Sequence, residues 1–266
     1  TIKEIRLLRL VGRNEHCALL VAASVEEPFA YLVLERATCT LLHHLERNVQ
    51  LTEASCAEVF LQMLQGLIHI HALGVVHRDV KPDNYLCFER ATVRLCDFGL
   101  AEVCAKDPEK AQLDGIFGTA PFMAPEMLTR TRYGPKVDVW SLAVVAYALL
   151  FGHFPYHPIE RNSRSMKAAI LAGVPAPKFT PRTISGRTPM VSDGARAFVQ
   201  ELLARDPRQR PPAPRGGPAA RSRSALPRER GSSEGRPGRA GGTAALPFCP
   251  SRKSSMACTR PAASAR

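Results

Sequence analysis

The chain has 266 residues, 45% of them apolar, enough for one large or two small cored domains. Its 36 Lys/Arg against 24 Asp/Glu give a net charge of +12, but residues 211–266 hold 11 of the basic and 2 of the acidic residues, hence +9, and the remaining body is only mildly basic at +3. Eight cysteines with no C-x-x-C pair and no Cys/His zinc spacing argue against a disulfide framework and for a reducing, intracellular and cytoplasmic setting. The N-terminus shows no signal peptide, and the longest apolar run, residues 139–151, is too short to span a bilayer.

Residues 1–11 place Ile2, Ile5, Leu8 and Val11 on one face with Lys3, Glu4, Arg6 and Arg9 between them, which predicts an amphipathic helix. Two apolar runs, 17–23 and 29–34, parted by 24–28, predict a strand pair joined by a turn. Residues 35–38 read as a connector and 40–46 as a short helix. Thr52 is a candidate N-cap for a long helix to about Leu73, stopped by Gly74. His69 and His71, two apart, point in different directions and read as core or surface histidines, not a shared metal site.

His77-Arg78-Asp79-Val80-Lys81-Pro82-Asp83-Asn84 puts a cation, two carboxylates, an ammonium and a carboxamide within eight residues. Pro82 fixes one backbone angle and biases Lys81 toward an extended conformation, so this is a shaped loop. Strands are expected at 85–88 and 93–96. Asp97-Phe98-Gly99 follows 13 residues beyond Asn84, with Gly99 expected to permit a backbone turn. A polar segment then runs to Phe117. After it come Gly118-Thr119 and, five residues on, Ala124-Pro125-Glu126.

Residues 136–151 are apolar nearly all round, predicting a buried helix, and Asp138 at its start can accept backbone N–H groups from the charged loop. Residues 166–171 look helical and 175–189 read as loop. Ser192 is a good N-cap for a helix ending near Asp206-Pro207. From Pro211 the chain is rich in Pro, Arg, Gly, Ser and Ala with no apolar period, a composition that predicts disorder.

With these strings in this order, the sequence resembles the Ser/Thr branch of the eukaryotic protein kinase family over about residues 1–210. The 191–210 string and the loop composition look closest to the calcium/calmodulin-dependent kinase group, though no EF-hand loop pattern is present. The resemblance implies an α+β, protein kinase-like fold with a mostly helical large lobe and a truncated small-lobe β-sheet. Residues 1–36 would be the small-lobe remnant (helix C and two strands), 37–210 the large lobe, and 211–266 a disordered basic tail.

The family pattern assigns roles residue by residue. Asp79 would accept the substrate hydroxyl proton, Lys81 would neutralise the transferred phosphoryl, and Asn84 and Asp97 would hold Mg²⁺. Thr119 would arrange the loop near Asp79 and Lys81. On the ATP side, Glu4 would be the ion-pairing glutamate of helix C, Leu34 the gatekeeper, Glu35 to Ala37 the hinge, and Leu86 the floor under adenine. Leu8, His77 and Phe98 would stack into a hydrophobic spine, and Arg210 would pair with Glu126. ATP and Mg²⁺ are thus the implied cofactors and a protein with a Ser/Thr acceptor the implied partner.

Two departures from the family pattern stand out. No Gly-rich loop or strand lysine precedes helix C, and Lys3, beside Glu4 on a helix, cannot substitute for that lysine; an incomplete chain is the expected reason, and impaired ATP binding and transfer in this chain the expected consequence. Residues 100–118 contain no Ser, Thr or Tyr to be phosphorylated toward Arg78. Asp114 either supplies the negative charge there or is solvated. The large-lobe motifs favour an enzyme, and the missing small-lobe parts favour a non-catalytic kinase-like scaffold. The tail's charge allows non-specific, salt-dependent contact with nucleic acid, without an RGG array or aromatic interleaving to support more.

Overall fold

The computed structural model describes residues 2–47, 52–104, 112–183 and 190–211. The expected disorder of the tail beyond Pro211, and part of the 175–189 loop, lie outside the described residues. Helix α1 (Ile2–Val11) buries Ile5, Leu7, Leu8 and Val11, as its 3.6-residue period dictates. A hairpin follows, β1 (Leu20–Glu26) against β2 (Phe29–Leu34).

The first strand is shifted from its expected place at 17–23. Cys17 and Ala18 leave the hairpin to pair with Leu95, whose carbonyl accepts from Ala18 at 2.8 Å. The ladder instead runs on through Glu26↔Phe29, leaving Glu27-Pro28 as the turn. The Ser24–Glu26 end is held by strand pairing, not burial. The 16–17 segment presses against the long helix α3 (Glu53–Ala72). A Cβ at Gly66 would stand 2.7 Å from the His16 carbonyl oxygen, so only glycine lets the two backbones come this close.

Helix α3 opens on a reciprocal cap in which Thr52 and Ser55 exchange side chain–backbone bonds, and it ends before Gly74 as expected. It packs on α5 (Lys136–Phe151), buried over most of its surface from Val137 to Tyr147, with Trp140 fully enclosed. Ser141, also buried, bonds back to the carbonyls of Val137 and Phe122. These two helices form the frame of the larger part. Around them lie α2 (Leu41–Arg47), α4 (Pro125–Leu128), α6 (Ser163–Ala172) and α7 (Asp193–Leu202).

Helix α7 stops earlier than the expected 206–207. The carbonyls of Ala204 and Arg205 turn instead toward the Arg210 guanidinium, at 2.7 and 3.2 Å, and the helix unwinds to supply them.

Two small sheets complete the fold. β3 (Cys39–Thr40), β5 (Tyr85–Cys87) and β6 (Val93–Leu95) form one antiparallel sheet in the order β3-β5-β6. β4 (Val75–Val76) pairs with β7 (Glu102–Val103) in the other. Neither β3 nor β7 was expected from the sequence: each is two residues long and owes its conformation to its partner strand. No described helix is long and apolar enough to cross a membrane.

Candidate active site

The charged loop at 77–84 is hung on one buried carboxylate. Asp138, in the first turn of α5, accepts the His77 N–H at 2.8 Å and the Arg78 N–H at 2.9 Å, and its Oδ2 lies 2.8 Å from His71 Nε2. Burial alone would raise its pKa. The His71 bond and charge, the His77 charge and the His77 backbone bond outweigh that, and the net shift is downward. Arg78 takes a left-handed backbone, φ 67°, which costs a non-glycine residue about 1–3 kcal/mol and is held by these bonds. His71 is therefore part of this support, a correction to its reading as an ordinary core or surface histidine. Its neighbour His69 binds the Val11 carbonyl.

Above this floor, four side chains from two segments close on one another. Asp79 Oδ1 accepts from Thr119 Oγ1 at 2.8 Å, and Oδ2 meets Lys81 Nζ at 2.9 Å and Asn84 Nδ2 at 3.1 Å. Lys81 also donates to Thr119 Oγ1 at 2.7 Å, and Asn84 Nδ2 to the Asp79 carbonyl at 2.8 Å. Burial pushes the Asp79 pKa up, but the bonds from Lys81, Thr119 and Asn84 and the ammonium charge bring it below the ordinary value, so Asp79 is ionised at neutral pH. Thr119 reaches it because Gly118 sits at φ +100°, where a Cβ would meet the Arg78 carbonyl at 2.4 Å. Gly118 is a site requirement that sequence reading passed over; its position just before Thr119 was the available signal.

Asp97, at the end of β6, is exposed and held in a left-handed backbone, φ 61°, with Oδ1 accepting the Gly99 N–H at 3.3 Å. The turn is thus carried by Asp97, correcting the expectation for Gly99. What Gly99 supplies is room, since a Cβ there would stand 3.2 Å from Asp97 Oδ1. Glu4 of α1 faces the same space. Burial first, and then the Asp97 carboxylate, raise its pKa. Phe98 is fully buried edge-on to His77, ring centroids 5.3 Å apart, in one core with Leu8.

The remaining expected residues lie along the strand exits. Leu34 ends β2. Glu35 donates its N–H to the Leu19 carbonyl at 3.1 Å and accepts the Leu19 N–H on Oε1 at 2.9 Å, while Oε2 pairs with Arg94. Thr38, next to Ala37, donates to the Cys87 carbonyl at 2.8 Å, which draws this connector alongside β5. There Leu86 faces Thr40 across the ladder.

Arg78 points into the segment after Asp97. Its Nε donates to the Leu100 carbonyl at 2.7 Å, its Nη2 stands 3.4 Å from Glu102 Oε2, and its guanidinium lies 4.2 Å over the Phe117 ring. Asp114, one candidate for the negative charge here, has an exposed side chain and offers Tyr133 only its carbonyl. Among the described residues, the anion beside the Arg78 guanidinium is Glu102, placed by the β4–β7 pair. No local sequence pattern marked it. Lys3 of α1 binds the same carboxylate, so it is directed away from Glu4.

Farther out, Arg210 and Glu126 make two parallel bonds, 2.6 and 2.8 Å, across 84 residues of sequence. The guanidinium, 4.8 Å over Trp140, also donates to the carbonyls of Ala204, Lys136 and Arg205.

A family model described as protein kinase domain matches residues 1–216. Among curated relatives, the chain is 35% identical over 189 residues to hormonally up-regulated neu tumor-associated kinase of Mus musculus, covering 68% of this chain and 24% of that one. It is 34% identical over 209 residues to serine/threonine-protein kinase H1 of Homo sapiens, covering 77% and 47%. It is 32% identical over 214 residues to calcium/calmodulin-dependent protein kinase type 1 of Caenorhabditis briggsae, covering 78% and 56%. The chain thus spans between about a quarter and somewhat over half of the length of these relatives.

Proposed function

The chain belongs to the eukaryotic Ser/Thr protein kinase family, and we propose that it is a catalytic region that transfers the γ-phosphate of ATP to a Ser or Thr hydroxyl of a protein substrate. The observation that carries this reading is the closed set of bonds among Asp79, Lys81, Asn84 and Thr119. A carboxylate has about four lone-pair sites. Three are used on Asp79, leaving one for an acceptor hydroxyl, whose proton this ionised group takes. Lys81, anchored to Asp79 and Thr119, sets a positive charge beside that point. Thr119 also ties the segment after Gly118 to the loop, which suits presentation of a Ser or Thr side chain.

The donors present fit Mg²⁺. Among the described residues, both hydrogen bonds of the Asn84 side chain use its amide nitrogen, so its Oδ1 is the atom left to ligate. Asp97 adds an exposed carboxylate, and the mutual repulsion of Asp97 and Glu4 marks a space that favours a cation. Asn84 and Asp97 would hold the ion, which when bound neutralises charge on the ATP phosphates. Leu34, the Glu35 to Ala37 connector and Leu86 would receive the adenine. Similarity to calcium/calmodulin-dependent protein kinase type 1 supports a place near that group, and the reading puts the chain inside the cell.

The test is thermal unfolding with ATP, with and without Mg²⁺, followed by phosphate transfer to Ser- and Thr-containing peptides. The expected result is an Mg²⁺-dependent rise in Tm and transfer that is slow but measurable, as the missing Gly-rich loop and strand lysine imply. Asp79→Asn should keep the first and abolish the second. A Tm rise without transfer in the parent chain would assign a non-catalytic scaffold instead, and the absence of both would overturn the reading.

A further inference from the structure

Eight polar or charged residues are buried among the described ones: His44, His77, Arg78, Asp79, Asn84, Asp138, Ser141 and Arg210. Seven belong to the charged loop, its floor, the α5 backbone bonds or the Arg210 clamp. The eighth, His44, is in α2. It lies beside Cys39 of β3 and Cys87 of β5, and the imidazole and two thiol donor atoms all fall within 4.8 Å of one another. Among the described residues this is the one group of three such donors that converges.

The convergence is built by the fold. Cys39 and Cys87 are direct partners in the antiparallel β3–β5 ladder, where side chains opposite one another stand about 4.5–5.5 Å apart at Cβ. Helix α2 starts immediately after β3, and its first turns carry His44 back over the pair. Because the three residues come from two segments some 40 residues apart, no zinc spacing is visible in the sequence.

We propose that Cys39, His44 and Cys87 form a binding site for a soft divalent metal ion, Zn²⁺, joining β3 and α2 to β5. Two thiolates and an imidazole are the donor types that select zinc over hard cations such as Mg²⁺. Bonds of about 2.0–2.3 Å to a tetrahedral ion put donors about 3.5–3.8 Å apart, so this cluster needs to contract by about 1.3 Å at most. Cys87 and His44 are buried while Cys39 is half-exposed, which gives the ion an entry route and leaves a fourth position for water. The ion sits beside Leu86, the expected adenine floor.

The test uses the full chain freed of metal by chelation. Titration with Co²⁺ should give thiolate-to-cobalt charge-transfer absorption saturating at one equivalent and displaced by Zn²⁺. Cys87→Ser and His44→Ala should each weaken binding by more than the about 10–100-fold typical for loss of an outer-shell partner. Cys249→Ser with Cys258→Ser, in the tail, should change nothing. A second measurement needs no variant: Zn²⁺ should protect Cys39 and Cys87 of the parent chain from alkylation, read by peptide mass spectrometry. Absence of the absorption, its survival in both site variants, its loss with the tail cysteines, or unprotected Cys39 and Cys87 would each overturn the proposal.

Discussion

The Nη2 of Arg78 stands 3.4 Å from Oε2 of Glu102, and that same oxygen receives Lys3 Nζ at 2.5 Å. One carboxylate therefore links the charged loop to α1, with the β4–β7 pair as its mount. The two ion pairs should differ in strength, because the Arg78 side chain is 6% exposed and that of Lys3 49%. A double-mutant cycle with Arg78→Met and Glu102→Gln should give a coupling of about 1 kcal/mol; the cycle with Lys3→Met should stay below about 0.5 kcal/mol. Asp114→Asn should leave stability within about 0.5 kcal/mol, since Asp114 serves Tyr133 through its backbone. Equal couplings in the two cycles would show that Glu102 is simply a solvated surface group.

Asp138 should make stability depend on acid. Its pKa is lowered in the folded chain despite full burial, while an unfolded aspartate titrates near about 3.9. A carboxylate shifted down adds stability that is complete above its unfolded pKa and disappears as pH falls through its folded one. Asp138→Asn turns an N–H donor toward backbone N–H groups and should cost about 3 kcal/mol at pH 7. Urea unfolding of parent and variant should show that difference shrinking below about pH 4. A gap that stays constant down to pH 3 would mean that the charge of Asp138 contributes nothing.

Much of this architecture could be read ahead of the structure wherever one segment decides its own fate. The residues 136–151 are apolar on all sides and become the core helix. Thr52 and Gly74 mark the ends of α3 by capping chemistry that is local. Asp79, Lys81 and Asn84 lie within one loop, so their meeting needs no distant packing, whereas Thr119 and Arg210 are singled out by the resemblance alone. What escaped depends on packing between distant segments. His69 and His71 look alike in sequence, but α1 gives one the Val11 carbonyl and α5 gives the other Asp138. Glu102 acquires its role only because β7 pairs with β4, and the Cys39, His44 and Cys87 cluster exists only once β3 lies against β5.

Thr119 should tune Asp79. Its hydroxyl donates to Asp79 Oδ1 while accepting from Lys81, so Thr119→Ala removes one of the bonds that lower the Asp79 pKa. The pKa should rise in Thr119→Ala and stay near the parent value in Thr119→Ser, which keeps the hydroxyl, followed by carboxyl carbon chemical shift. A hydrogen bond to a charged group contributes about 1.5–3 kcal/mol, so phosphate transfer should fall by about tenfold or more in the Ala variant and be largely retained in the Ser variant. Identical titration in all three proteins would separate Thr119 from Asp79.

The Glu126–Arg210 pair should be costly to break on one side and much less costly to remove whole. Arg210 is 1% exposed, spans Glu126 with two bonds, binds three backbone carbonyls and covers Trp140. Arg210→Ala strands the Glu126 carboxylate and those carbonyls, and should cost about 3–5 kcal/mol. That is a large share of the about 5–15 kcal/mol typical of a folded domain. Arg210→Lys should recover little, since an ammonium cannot reproduce the planar fork or lie flat on the indole. Glu126→Leu with Arg210→Met removes both charges, fills similar volume and should recover at least half of the loss, because desolvation of the two ions offsets much of their attraction. Urea midpoints at constant slope measure all three. Should Arg210→Ala cost under about 1 kcal/mol, the clamp would be a product of the fold and not one of its causes.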